Sequence, residues 1–312
     1  MSSKVVVDVE GHPVALTNLE KVLYPAVGFT KGEVLDYYTR IAPVLLPHLA
    51  GRALTRKRYP NGVDGPPFFE KNAPRGTPDW MRVEELPSPG SSKGRETIAY
   101  TVVETLAGLV WTANLASLEL HTHMWRVGAP GPDLLVLDLD PGPPATVVEC
   151  CEVALLLRPV LEADGLVPYA KTSGSKGLQL YARADGMGSS EQTSAYAKDL
   201  AQRFEASHPD LVVHRMTKVL RPGKVLVDWS QNSAAKTTVS VYSLRARERP
   251  TVSTPITWDE VEGCRSPGDL VFTSDDVLAR VGERGDLFAP LLAQSLPRGL
   301  SASPSRSSAQ LP

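Results

Sequence analysis

Apolar residues recur at helical spacing over residues 32–49, where Val34, Leu35, Tyr38, Ile41 and Leu45 form one stripe flanked by Tyr37 and Leu46. Steps of three and four put these side chains on one face, which predicts an amphipathic helix ending before Gly51. Pro43 and Pro47 fall inside it and predict a kink or an early stop, since proline lacks the N–H and its ring crowds the preceding turn. Residues 53–104 mix short apolar runs with turn-rich stretches such as PNGVDGPPFFEK, the pattern of short strands and loops. Residues 105–119 predict a second, buried helix.

The central part is more regular. Strands are predicted at 134–138, 167–172 and 177–184, with helices at 145–163 and 190–207, the latter closing at Pro209. Further strands follow near 211–215 and 225–229. The order β-α-β-β-α-β is the split βαβ of ferredoxin-like and RNA-recognition-motif folds, which sets the first strand beside the hairpin in one sheet. Residues 291–312 are rich in Ser, Pro and Ala without apolar periodicity, and predict a disordered tail.

The chemistry gathers where these strands end. LLVLDLD (134–140) is an apolar run that closes in two aspartates and is cut off by Pro141 and Gly142. A strand has a side-chain period of two, so Asp138 and Asp140 share a face. Two like charges there are unfavourable unless a cation sits between them or one takes up a proton. KTSGSKGLQLY (171–181) puts Ser173, Gly174, Ser175, Lys176 and Gly177 into a hairpin turn that can bring backbone, a hydroxyl and an ammonium to phosphate oxygens. It lacks the spacing of a Walker A loop. LRPGKVLVDWSQN adds Asp228 at another strand end, with Arg221 and Lys224 just before it. Three aspartates on neighbouring strands suit two hard divalent cations, Mg²⁺ or Mn²⁺, and hence in-line phosphoryl or nucleotidyl transfer. Lys236 and Arg245 add cations suited to a triphosphate.

Composition changes this picture little. The chain has 312 residues, 42% hydrophobic and 22% charged, as in an ordinary soluble protein. It has no apolar run long enough to span a membrane and no secretory leader pattern. Three cysteines, two of them adjacent (Cys150, Cys151), match no disulfide framework or zinc spacing and predict buried thiols in a reducing cytoplasm. The net charge of −2 announces no nucleic-acid binder, yet basic residues cluster. Arg52, Arg56, Lys57 and Arg58 stand together without an acid, and residues 215–249 hold eight Lys or Arg against Asp228 and Glu248. Such patches steer polyanions. Phe68 and Phe69, beside the first patch, offer faces for base stacking if exposed and ordinary core if buried.

LTNLEKVLYPAVGFTK, TRKRYPNGVDGPPFFEK, LDLDPG, TSGSKGLQLY and LVDWSQNSAAKTT resemble the polymerase domain of bacterial non-homologous end-joining DNA ligases, the ligase D family, within the archaeo-eukaryotic primase superfamily. The resemblance runs from about residue 14 to 287 and implies a mixed α+β primase-like fold. A catalytic RRM-like module (131–290) would pack on an N-terminal module (1–130) carrying a DNA-end pocket. It implies Asp138, Asp140 and Asp228 as metal-binding catalytic acids for Mn²⁺ or Mg²⁺. His121, Ser173, Lys176, Gln179, Arg221, Lys224 and Arg245 would hold the nucleotide, while His123 is incidental. Asn18, Lys21 and Lys31 match a pocket for a 5′-phosphate, and Arg58, Phe68 and Phe69 would contact the template. Gln179 departs from the family pattern SGSKGxHxY, in which a histidine stands there; an amide can donate to a phosphate but cannot take up a proton or a positive charge. The implied function is a cytoplasmic, template-directed polymerase that prefers ribonucleotides and fills gaps and ends in break repair. Its implied partners are 5′-phosphorylated DNA, NTP or dNTP, the bacterial Ku end-binding protein and a separate DNA ligase. A non-catalytic end-binding factor and a metal-dependent phosphoesterase are the alternatives.

Overall fold

The computed structural model describes residues 4–88 and 96–292. Nearly all of the tail expected from residue 291 lies outside the described residues, and Leu291 itself is buried.

The first predicted helix is α1 (Lys31–Leu49), which runs through both prolines. Its start is a capping box: Glu33 N donates to Thr30 Oγ1 at 3.3 Å, and Thr30 N donates to Glu33 Oε2 at 2.7 Å. An interior proline costs roughly 3 kcal/mol, whereas burying one large apolar side chain returns about 1.5–3 kcal/mol. Val34, Leu35, Tyr37, Tyr38, Ile41, Leu45 and Leu49 are all buried, so packing outweighs the two prolines. β1 (Leu54–Arg58) and β2 (Phe68–Glu70) follow.

The second helix is shorter than its pattern. α2 spans Leu106–Asn114, and the chain then turns through Ala116, at φ +56°, into β3 (Ser117–Thr122). The residues after Asn114 therefore leave the expected helix for a strand. Ladder pairing on both edges of β3 outweighs a local helical pattern.

The central part comprises β4 (Leu134–Pro141), α3 (Val147–Ala163), β5 (Tyr169–Thr172), β6 (Leu178–Arg183), α4 (Ser190–Ser207), β7 (Val212–Val213) and β8 (Val225–Asp228). β9 (Thr238–Val239) and β10 (Pro255–Ile256) come after it. One sheet has the order β7-β8-β4-β6-β5-β10, a second the order β9-β3-β1-β2. The inner four strands of the first sheet have the predicted ferredoxin-like arrangement. Leu135, Leu137, Leu139, Leu178, Leu180, Val225 and Val227 fill one face, against α3 and α4. Val136 and Tyr181, on the other face, join the N-terminal core.

That N-terminal core also takes Val241, Tyr242, Leu244, Val252, Val277 and Phe288, which follow β8 in the chain. A division after residue 130 thus does not divide the packing: the chain returns to complete the first core. All three cysteines are free and buried.

Candidate active site

Strand register builds the site. Asp138 on β4 stands directly opposite Asp228 on β8 and opposite Gln179 on β6, and Gln179 stands opposite Lys171 on β5. Cross-strand partners share a face, so Asp228, Asp138, Gln179 and Lys171 form one row across the sheet. Asp140 lies two residues beyond Asp138 on the same face. The apolar run thus changes character on one face only: Leu137 and Leu139 stay in the core while carboxylates occupy the other side.

Nothing in the row neutralises the acids by direct contact. Burial, then the charges of Asp140 and Asp228, push the Asp138 carboxyl up to about 7 against the Gln179 hydrogen bond. Asp140 is raised by burial and by Asp228. Asp228 is tied into the turn that follows it: its Oδ1 accepts from Ser230 N at 2.8 Å and Ser230 Oγ at 2.7 Å, its Oδ2 from Gln231 Nε2 at 3.0 Å.

A cavity of about 400 Å³ opens on Asp138 and Asp140, lined also by His121, Ser173, Ser175, Lys176, Gln179, Arg221 and Arg245, whereas Asp228 does not line it. The SGSKG turn forms one wall. Gly174 has φ +65°, and a Cβ there would lie 2.6 Å from the Val252 backbone; one on Gly177 would meet Leu139 O at 2.2 Å. Both positions therefore require glycine. Ser173 Oγ accepts from Gly177 N at 3.1 Å and Ser175 N at 3.3 Å, which leaves its own proton to donate. Arg245 Nη1 donates to Ser173 O at 2.5 Å, and Arg247 reaches Ser175 Oγ.

Not every expected nucleotide contact converges here. Lys224 does not line the cavity, because its ammonium donates to Pro209 O. The Gln179 amide, expected at a phosphate, has another first partner: Nε2 donates to Asp138 Oδ1 at 2.9 Å, and Oε1 accepts from Lys171. His123 is buried and stacks on Trp125 at 4.4 Å, and burial lowers its pKa to about 4.

Two residues escaped sequence reasoning. Glu119 is buried at 3% exposure beneath the cavity. It accepts from His121 Nε2 at 3.0 Å and lies 3.4 Å from Arg245 Nε and 3.8 Å from Lys57 Nζ. Burial alone would raise its carboxyl, but His121, Arg245 and Lys57 together hold it well below the usual range. The signal was the alternation LELHT, which puts Glu119 and His121 on one face of a strand. Lys171, the other residue, is fully buried. Its position opposite Gln179 follows once the hairpin register is known.

A second cavity of about 250 Å³ lies in the N-terminal part, lined by Thr17, Asn18, Lys21, Lys31 and Arg58 with apolar neighbours. Lys31 Nζ donates to Thr17 O at 2.6 Å. Burial, then the like charges of Lys21 and Arg58, lower its pKa to about 8, although Arg58 itself pairs with Glu70 at 3.1 Å. Phe68 and Phe69 are 44% and 59% exposed, which excludes the core reading. Arg58 lies over the Phe68 ring at 5.2 Å and Lys57 over Phe69 at 5.5 Å, linking the cation cluster to the aromatic pair.

The sequence model of the LigD primase-polymerase domain matches residues 30–288. The chain is 48% identical over 285 residues to the multifunctional non-homologous end joining protein LigD of Mycolicibacterium smegmatis, covering 90% of this chain and 36% of that protein. The corresponding Mycobacterium tuberculosis protein is 45% identical over 291 residues, covering 90% and 37%. The chain thus spans little more than a third of these relatives. The polymerase domain from Mycobacterium tuberculosis ligase D in complex with DNA superposes with a TM-score of 0.84 at 44% identity, covering 91% of this chain and 99% of that one. With the aspartate row, the glycine-locked turn and the fold all in place, the chain belongs to the LigD primase-polymerase domain family, a family of nucleotidyltransferases.

Proposed function

We propose that this chain is a template-directed polymerase that adds nucleotides, preferably ribonucleotides, at DNA gaps and ends during break repair by non-homologous end joining. The observation that carries this reading is the pair Asp138 and Asp140, with Asp228 across the strand from Asp138, opening onto a cavity whose other walls carry Lys176, Arg221 and Arg245. A phosphoesterase needs the acids alone, whereas a nucleotidyltransferase must also hold a triphosphate.

The donor set fits a hard divalent cation, because carboxylates raised by burial and by one another's charge are the groups such an ion relieves. Among the described residues no three His, Cys, Asp or Glu side chains converge closely enough to hold an ion alone. Asp138 and Asp140, with Asp228 oriented behind them, would supply part of a shell, and phosphate oxygens and water the rest, as is usual for Mg²⁺. Bound there, Mg²⁺ or Mn²⁺ would supply charge stabilisation for the attacking and leaving oxygens.

The chain's own residues do the remainder. Arg221, Arg245 and Lys176 would neutralise the triphosphate, with the Ser173 hydroxyl donating to it. Phe68 and Phe69 offer sequence-tolerant stacking platforms for the template. The Lys21, Lys31 and Arg58 cavity would bind the 5′-phosphate beyond the gap. The bacterial Ku protein and a separate ligase are the partners this activity calls for, in the cytoplasm. Incubation with a gapped duplex carrying a labelled primer and a downstream 5′-phosphate, with Mn²⁺ and NTPs, tests the reading. Primer lengthening supports it, while shortening or binding without extension overturns it.

A further inference from the structure

We propose that Lys171 is a positioning residue for nucleotidyl transfer: it fixes the Gln179 amide so that the amide N–H holds Asp138 in place. This inference rests on the polymerase reading above. Lys171 does not line the nucleotide cavity; it faces a pocket of about 30 Å³ on the other side, with His48, Arg52, Tyr181 and Phe288. Its hydrogen-bonded link to the acids runs through Gln179, and apart from that it reaches Asp138 only by charge.

The hydrogen bonds leave one arrangement. Lys171 Nζ donates to Gln179 Oε1, to Ser253 Oγ at 2.6 Å and to Val239 O at 3.2 Å, which uses all three ammonium protons. Ser253 donates its own proton to Thr172 O at 2.9 Å, so toward Lys171 it accepts. Lys171 also lies over the Tyr181 ring at 5.4 Å. The cation is therefore caged and cannot swing away. With a metal ion bound, Asp138 has given up its proton and only accepts, while the charged Lys171 at the other end of the amide only donates. Between them Gln179 has a single orientation, with oxygen toward Lys171 and nitrogen toward Asp138. The amide N–H engages Asp138 Oδ1, so the Oδ2 side is the one presented for a metal ion. Residues that orient metal ligands in this way commonly change metal affinity 10- to 100-fold when removed.

Charge and positioning predict opposite signs, which makes the inference testable. Removing a buried cation near the acids would by itself tighten cation binding. Loss of the clamp would loosen it. The measurement is Mn²⁺ binding without nucleotide for the wild type, Lys171→Met, Gln179→Leu and the double variant, with melting temperature alongside. Lys171→Met is expected to bind Mn²⁺ about tenfold more weakly. Its melting temperature is expected to fall by a few degrees while unfolding stays cooperative, since Gln179 Oε1, Ser253 Oγ and Val239 O each lose a donor as a buried charge is removed. Gln179→Leu should lose a similar factor, and the double variant no more than either single one, because the two side chains act as one clamp. Unchanged or tighter binding by Lys171→Met, or losses that multiply in the double variant, would overturn the inference. If Lys171→Met does not fold, Gln179→Leu alone decides, since it leaves Lys171 and its other acceptors in place: wild-type affinity overturns the clamp. A wild-type protein that neither binds Mn²⁺ nor extends primers would overturn the polymerase reading itself.

Discussion

Glu119 places its carboxylate 3.4 Å from the Nε of Arg245, under the cavity floor. Arg245 in turn donates to the Ser173 carbonyl of the SGSKG turn, so one buried acid aligns the cation and the turn expected to meet the triphosphate. Glu119→Gln keeps the shape but removes the charge that gathers His121, Arg245 and Lys57. We expect KM for the nucleotide to rise about tenfold, roughly 1.4 kcal/mol, with kcat changed much less. Steady-state kinetics check this. Equal loss in kcat and kcat/KM would place Glu119 in the chemical step instead.

Asp138→Ala and Asp140→Ala should each lower nucleotide addition on the order of a thousandfold or more, through loss of metal-dependent charge stabilisation. Neither should unfold the protein, because each removes a repulsive charge. Near wild-type extension by either variant would sink the assignment of these acids.

The acids also set a pH dependence in the metal-free protein. Asp138 is raised from 3.8 to about 7, so its contribution to stability is fully present below about pH 4 and lost as the pH rises through 7. Lys171 is lowered by burial from 10.5 to about 7, so its contribution is present above about pH 10 and lost as the pH falls through 7. Together they make this row costliest near neutrality. The melting temperature of Asp138→Asn minus that of wild type should be near zero at pH 4 and reach on the order of 5 °C by pH 7. A difference that does not change with pH would mean that Asp138 is ionised throughout. Mn²⁺ must displace the same proton, so its binding should tighten from pH 5.5 to 7.5.

Lys31 carries its charge only below about pH 8 in the free protein. A bound phosphate would favour the charged form, so the preference for 5′-phosphorylated over 5′-hydroxyl gapped DNA should fade above pH 8. It should vanish in Lys31→Met and weaken with salt. Gel-shift titrations from pH 7 to 9.5 measure this, and a constant preference in Lys31→Met would locate the phosphate elsewhere.

How much was legible follows from where the information lies. Asp138 and Asp140 could be put on one face because a strand alternates, and the span of α4 (Ser190–Ser207) was readable with its close at Pro209. Long-range pairing was not readable. Residues after Asn114 carry helix-compatible apolar spacing, and only β1 and β9 on either side make them a strand. Gln179 was aimed at phosphates because its partner across the sheet was unknown; the register puts it opposite Asp138 and Lys171 instead. Lys224 sits beside the third acid in sequence, yet its side chain reaches Pro209. Glu119 and Lys171 were missed for one reason: a buried charge shows its purpose only through partners distant in the chain.

The most direct measurement is single-turnover extension on four gapped duplexes that differ only in the templating base, each offered the four NTPs separately with Mn²⁺. Template-directed transfer at the aspartate row predicts that each duplex takes its complementary nucleotide preferentially, and that Asp140→Asn abolishes all four reactions while still binding the DNA. Addition that ignores the templating base, or that survives in Asp140→Asn, would contradict the account.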